Sequence, residues 1–124
     1  MGNAASAREL KEEGLRLFQE GLYEEAAATF ERAQEMFAGD GDGVGAAEML
    51  NNQGVVYRRQ GKWDEAIMAL DEARAAFVRL GDRNREALTL GILGGLYASR
   101  GERDGAQECL RQAAYIVAGL GDTQ

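Results

Sequence analysis

Residues 50–73 read LNNQGVVYRRQGKWDEAIMALDEA and contain the pattern that decides the fold of this chain. Gly54 and Tyr57 share one helical face, Gly61 interrupts the helix, and Trp63 begins a second helical stretch. The same arrangement recurs forty residues upstream and forty residues downstream without an insertion. A period of this length indicates stacked supersecondary units that bury their apolar faces against one another.

The repeat is visible at several fixed positions along the chain. The recurring residues are Leu10, Leu50 and Leu90; Gly14, Gly54 and Gly94; Gly21, Gly61 and Gly101; Ala26, Ala66 and Ala106; Ala33, Ala73 and Ala113; and Gly-Asp at 41–42, 81–82 and 121–122. We therefore expect an all-α superhelix that forms one domain over residues 1–124, with repeats at about 4–42, 43–82 and 83–122. Six antiparallel helices are predicted, near 5–20, 23–38, 44–60, 63–80, 83–100 and 103–118.

Small residues at two phases of the repeat predict that the helices of each pair pack closely. Gly54 is expected to face Ala66 across the helix pair. A glycine inside a helix costs about 1 kcal/mol relative to alanine, so its recurrence at this phase implies a geometric reason. The space between pairs is expected to be filled by the large residues Phe30, Leu70 and Leu110.

Charge and composition exclude several classes of function. The net charge is −7, which argues against a protein that grips phosphate backbones, so we expect no nucleic-acid partner. The sequence has no histidine, which removes the commonest general base and the commonest metal ligand. Cys109 is the only cysteine and is expected to be an inert, partly buried thiol, with an intermolecular bridge as the alternative. We expect no catalytic activity, no metal and no cofactor.

The segment Leu50-x3-Gly54-x2-Tyr57-x3-Gly61-x-Trp63-x2-Ala66-x3-Leu70-x2-Ala73 resembles the tetratricopeptide repeat. The flanking units resemble it too, with Leu17 in place of the first tyrosine and Arg103 where an aromatic residue is usual. The period of forty residues exceeds the usual thirty-four, and the closing proline is absent. This resembles the extended subclass found in polarity adaptors, kinesin light chains and many bacterial regulators. The resemblance implies a scaffold that binds a peptide or a partner helix on its concave face.

By the same resemblance, one stripe of each first helix lines the concave face. The residues predicted to bind a partner there are Lys11, Leu15, Phe18, Asn51, Asn52, Val55, Arg58, Arg59, Leu88, Ile92 and Gly95. Family members with asparagine ladders hold peptide backbones through side-chain amides. Here only Asn52 occupies the ladder phase, since Glu12 and Ile92 replace its counterparts. A clamp for a terminal carboxylate is rejected, because Leu15 and Leu88 stand where its polar groups would be.

The two ends of the sequence raise separate questions. Residues 1–6, MGNAAS, satisfy a myristoylation pattern at Gly2, which we interpret as a chance match, because the acidic first third supplies no basic patch to support membrane binding. No apolar run has the length of a membrane span, and we expect a cytoplasmic protein without a membrane partner.

At the other end, the last helix is expected to leave part of its apolar stripe without a following neighbour. The predicted self-association residues there are Cys109, Ile116, Val117 and Leu120, with Ala113 on the same stripe. An uncovered apolar patch usually marks an interaction surface. Three alternatives stay open at this point: the chain is a piece of a longer array, it forms a homo-oligomer, or a partner protein covers the patch.

Overall fold

The computed structural model describes residues 5–122, and the Gly2 pattern lies outside them. Within that range the chain forms six α-helices and no strand, which confirms the predicted all-α repeat superhelix. The helices are α1 (Ala7–Gln19), α2 (Tyr23–Gly39), α3 (Gly43–Arg59), α4 (Trp63–Leu80), α5 (Arg83–Ser99) and α6 (Arg103–Asp122). Each helix packs against the one before it and the one after it in the chain.

Glycine sets the position of every turn between these helices. Gly21, Gly41, Gly61, Gly81 and Gly101 all have φ between 71° and 79°, the left-handed region that favours a residue without a Cβ. They lie twenty residues apart, so the turn within a pair and the turn between pairs use the same backbone device. The repeat of forty residues therefore consists of two half-units of equal length.

Aspartate begins two of the three first helices, namely Asp42 at α3 and Asp82 at α5. The carboxylates of Asp42 and Asp82 accept hydrogen bonds from the backbone N–H groups of Gly45 and Arg85, at 2.8 and 3.1 Å. At the start of α1, Ser6 and Glu9 form a reciprocal capping box instead. These caps satisfy backbone donors that the first turn of a helix leaves unpaired.

The close approach predicted at the recurring glycines is present in all three pairs, but the atoms nearest to Gly54 belong to Leu70, with the carbonyl oxygen of Ala66 farther away at 3.3 Å. A Cβ on Gly14 would lie 2.5 Å from a ring carbon of Phe30, and one on Gly54 would lie 2.6 Å from Cγ of Leu70. The corresponding distance from Gly94 to Leu110 is 3.2 Å. Phe30 and Leu70 are completely buried, because the next helix covers each of them. Glycine thus makes room for a large side chain of the opposing helix.

Two expectations about α6 were wrong. The helix was expected near 103–118, but it continues through Gly121, which has no left-handed φ. Cys109 and Ile116 were expected in an uncovered stripe, but they are only 9% and 4% exposed. Both pack into the core cluster that contains Leu93 and Leu96 of α5. Val117 is 58% exposed, as expected, and Leu110, which was expected to fill the space between pairs, is 53% exposed on the same side of α6.

Gly54→Ala and Gly91→Ala form a matched pair of helix-interior substitutions. The new methyl at residue 54 would meet Leu70, so we expect the free energy of unfolding to fall by about 1–3 kcal/mol through overpacking. At Gly91 nothing lies within 4 Å of the new methyl, so we expect a gain of about 0.5–1 kcal/mol from helix propensity. Urea unfolding followed by circular dichroism measures both. Effects of the same sign would contradict the packing argument.

Candidate protein-binding groove

A groove of about 380 Å³ runs across the first helices of the three pairs. Its walls come mainly from α1, α3 and α5, with one residue from α4. The lining residues are Lys11, Leu15, Glu48, Asn51, Asn52, Phe77, Asn84, Arg85, Leu88 and Thr89. The groove exists because the first helix of each pair lies beside the first helix of the next, as the forty-residue period requires.

The structure brings five of the predicted concave residues together in this groove. They are Lys11, Leu15, Asn51, Asn52 and Leu88. The other six do not line it: Phe18, Val55, Arg58, Arg59, Ile92 and Gly95. Of these, Ile92 packs partly against the core, while Arg58 is exposed. The predicted stripe therefore divides into a groove and a separate set of residues nearer the C-terminal ends of the first helices.

Phe18 and Arg59 belong to a small aromatic cluster at those helix ends. The guanidinium of Arg59 lies over the rings of Phe18 and Tyr23, at 5.6 and 5.7 Å from their centroids. The two rings contact each other in a tilted arrangement, 5.6 Å apart. A cation over an aromatic face is stabilised by the ring quadrupole. Arg59 of α3 thus connects the second helix pair to the first, because its guanidinium packs on the rings of Phe18 and Tyr23.

Arg85 is held in the groove by two carboxylates. Its guanidinium donates to Asp82 at 2.8 Å and approaches Glu48 of α3 at 3.4 Å. The pKa of Asp82 lies below its usual value, mainly because the backbone N–H of Arg85 donates to its carboxylate. The pKa of Arg85 is raised, mainly because its side chain donates a hydrogen bond to Asp82. This charge is therefore fixed and largely neutralised by the protein itself.

Polar groups with spare hydrogen-bonding capacity lie opposite Arg85. Lys11, on α1, has no ion pair among the described residues. The side-chain carbonyl of Asn51 accepts a hydrogen bond from the hydroxyl of Thr89 at 3.2 Å, which leaves its N–H₂ group for another partner. Within residues 5–122, the hydrogen bond of the Asn52 side chain is a weak 3.9 Å contact from its N–H₂ group to the sulfur of Met49. A side-chain amide in this state can pair with both the N–H and the C=O of a peptide backbone.

Two leucines give the groove an apolar component. Leu15 on α1 and Leu88 on α5 are 39% and 68% exposed, so both leave substantial apolar surface in contact with water. Neither replaces a residue of the helix core, since Leu10, Leu17 and Leu90 fill that role on the same helices. Exposed leucines lie here beside side-chain amides that have spare hydrogen-bonding groups. Protein interfaces commonly combine an apolar core with a polar rim in this way.

Sequence reasoning missed Phe77, Asn84, Arg85 and Thr89 as groove residues. Asn84 and Arg85 lie four and three positions before Leu88, so they share its helix face and could have been found from that spacing. Thr89 is 1% exposed and reaches the groove through its hydrogen bond to Asn51. Its role depends on a contact between residues 38 positions apart, which no local pattern contains.

Residues 5–122 contain neither a metal-binding cluster nor a membrane-spanning helix. No group of three or more acidic or cysteine side chains there is placed to hold a metal ion. None of the six helices is long and apolar enough to cross a membrane. Cys109 is a free, buried thiol whose pKa is raised by burial, so it has little of the thiolate character that reactivity requires.

Comparison with known proteins agrees with this architecture. BtubC (BKLC) from P. vanneervenii has a crystal structure that superimposes with a TM-score of 0.79 at 25% sequence identity, covering 89% of this chain. The chain spans about 45% of the length of that protein. In total, 45 chains of solved structures match. No curated protein matches by sequence.

Consecutive antiparallel helix pairs with a groove along their first helices define a helical-repeat protein of the solenoid class. The family model of the tetratricopeptide repeat matches residues 45–116. The chain belongs to the tetratricopeptide repeat family, as the sequence pattern predicted.

The lowered pKa of Asp82 predicts how stability depends on pH. The folded state favours the charged carboxylate, so its contribution is complete above the unfolded-state pKa of about 4 and is lost as pH falls through the lower folded value. Asp82→Asn keeps an oxygen at the cap but has no charge to titrate. We expect the variant to lose less unfolding free energy between about pH 5 and pH 2 than the native chain. Urea unfolding across that range tests this, and equal losses would contradict it.

Proposed function

We propose that this chain is a protein-interaction scaffold that binds a peptide segment or a partner helix in the groove of α1, α3 and α5. The observation that supports the proposal best is the pairing of exposed apolar side chains with unpaired polar groups in one concavity. Leu88 is 68% exposed there, and Asn52 beside it lacks a strong hydrogen bond. Tetratricopeptide repeats generally bind protein partners, which agrees with this assignment.

The apolar and the polar side chains of the groove have different roles in ligand binding. Leu15 and Leu88 would bury apolar side chains of the ligand, which supplies most of the affinity. Asn51 and Asn52 would pair with its backbone and fix its direction. Lys11 would favour a ligand with an acidic group nearby, since Arg85 is already neutralised by Glu48 and Asp82.

The proposal contains no reaction, no metal and no cofactor, and it assigns neither nucleic acid nor membrane as a partner. Tetratricopeptide repeats are typically non-catalytic interaction modules. The buried free thiol of Cys109 fits a reducing compartment, for which we propose the cytoplasm.

Self-association is a second candidate function, favoured by one observation. Leu110 and Val117 of α6 are more than half exposed, although the matching residues of α4, Leu70 and Phe77, are at most 2% exposed. Exposed apolar surface of this kind marks an interaction site. This function would use α6, and it is compatible with a ligand in the groove.

A random peptide library displayed on phage provides a probe for the groove. Peptides selected by the native chain should lose about tenfold or more in affinity for Leu88→Glu, because the variant places a charge on the apolar wall. Asn52→Ala should cost about threefold to tenfold, the value of one hydrogen bond. Fluorescence anisotropy with a labelled peptide measures these affinities.

The matched control is Met68→Glu, which makes the same chemical change at a residue of α4 that is 67% exposed and lies outside the groove. It should bind the selected peptides like the native chain. Arg58→Glu reports whether the ligand extends beyond the groove, because Arg58 does not line it. Equal losses in Leu88→Glu and Met68→Glu would show that the peptides bind elsewhere.

A further inference from the structure

Thr89 breaks the pattern of the repeat at a buried position. The residues at its phase, forty positions apart, are Glu9, Met49 and Thr89. Met49 is completely buried and Thr89 is 1% exposed, so an apolar side chain fills this position in the second unit and a hydroxyl enters it in the third. A polar group at a core position departs from the rule of local packing, and such departures are expected where a residue serves function.

The buried hydroxyl of Thr89 needs a hydrogen-bond partner, because water does not reach it. It donates to the side-chain carbonyl of Asn51 on α3 at 3.2 Å, so the bond joins the second helix pair to the third. The equivalent residues at the junction of the first and second pairs are Lys11 and Met49. A lysine cannot accept and a methionine cannot donate, so the bond is particular to the second junction.

This bond determines which end of the Asn51 amide faces the groove. Both residues line the groove, but Thr89 lies beneath its surface and Asn51 is partly exposed. With its carbonyl held by Thr89, the amide presents its N–H₂ group, which donates and does not accept. That group has no hydrogen-bond partner in the part of the chain that the structure describes. A donor whose direction is already fixed binds a ligand with less loss of side-chain freedom.

A second donor lies at the same phase of the repeat as Asn51. Lys11 stands forty residues earlier and lines the same groove, and its ammonium has three N–H donors and no acceptor. The carboxylate of Glu48, which also lines the groove, is engaged by Arg85 at 3.4 Å. The groove therefore presents donors from α1 and α3. Donors of this kind are complementary to the carbonyl and carboxylate oxygens of a peptide.

We propose that Thr89 is a positioning residue of the groove, which holds Asn51 so that its N–H₂ group donates to a carbonyl or carboxylate oxygen of the bound peptide. This rests on the proposed function and adds to it the polarity of the ligand group that Asn51 recognises. Thr89 is too deeply buried to contact a ligand, so it acts through Asn51. Without the hydroxyl, the Asn51 amide would be free to rotate, and binding would have to fix it again.

Two substitutions of Thr89 separate positioning from packing. Thr89→Val keeps the shape of the side chain and removes the hydroxyl. Its affinity for a fluorescein-labelled peptide selected on the native chain should fall about threefold to tenfold, while its melting temperature changes little. Thr89→Ser keeps the hydroxyl and removes a methyl, so it should melt at a lower temperature and keep the native affinity. Native affinity in a folded Thr89→Val would overturn the positioning role.

Substitutions of Asn51 test the polarity of the ligand group. Asn51→Ala should lower the affinity about threefold to tenfold, and adding Thr89→Val should lower it no further, because the positioned group is gone. Asn51→Asp still accepts from Thr89 but turns an acceptor toward the ligand, so its affinity should fall about tenfold or more. Native or higher affinity in Asn51→Asp would show that the ligand presents a donor there, which contradicts the proposal.

Thr29→Val is the matched control, since Thr29 of α2 is a buried threonine, 9% exposed, that does not line the groove. It should bind the peptide like the native chain. Leu88→Glu distinguishes this inference from the proposed function. If Leu88→Glu keeps the native affinity, the peptide binds elsewhere and both proposals are wrong. If it loses affinity while Thr89→Val and Asn51→Asp keep it, the groove remains the binding site and the positioning role of Thr89 is wrong.

Discussion

The structure depends on the contact between a helix glycine and the large side chain that faces it across each pair. Where a methyl on Gly54 would stand, Cγ of Leu70 is only 2.6 Å away, so no other residue fits without a shift. This closeness fixes the separation of the two helices and, through it, the place where the next pair can pack. The groove follows, because regularly spaced pairs align the first helices α1, α3 and α5. Glycine is a poor helix former, but at these positions it permits the close packing that sets the geometry of the groove.

The fold could be predicted almost completely because its determinants are local and repeated. Glycines at fixed phases give the turns, and apolar spacing gives the faces, so all six helices were expected near their observed bounds. The exception is the end of α6, where the Gly121-Asp122 pair looks like its two predecessors but does not turn. Gly121 lies inside α6 without a left-handed φ, whereas Gly41 and Gly81 have one, so the Gly-Asp pattern alone does not decide whether a helix ends.

The groove was harder to predict than the fold. The stripe assigned by resemblance contains five residues of the groove, but it also contains Phe18 and Arg59, which satisfy each other. Arg85 and Thr89 act through partners on another helix, Glu48 and Asn51, and such pairings arise only when the helices are assembled. Exposure on α6 was misassigned for a similar reason. Cys109 and Val117 are both apolar positions of one helix, and only the packing of α5 decides which of them is covered.

The glycine turns have an evolutionary consequence. Because Gly21, Gly41, Gly61, Gly81 and Gly101 share one backbone conformation at one interval, the five turns between the helices are alike. Duplicating or deleting forty residues in phase leaves each remaining turn, glycine contact and helix pairing intact. An insertion of another length inside a helix would shift the small residues away from the large ones that they accommodate. A gain or loss of one whole unit is therefore the change in length that this packing accommodates with the least rearrangement, and it would alter the reach of the binding surface.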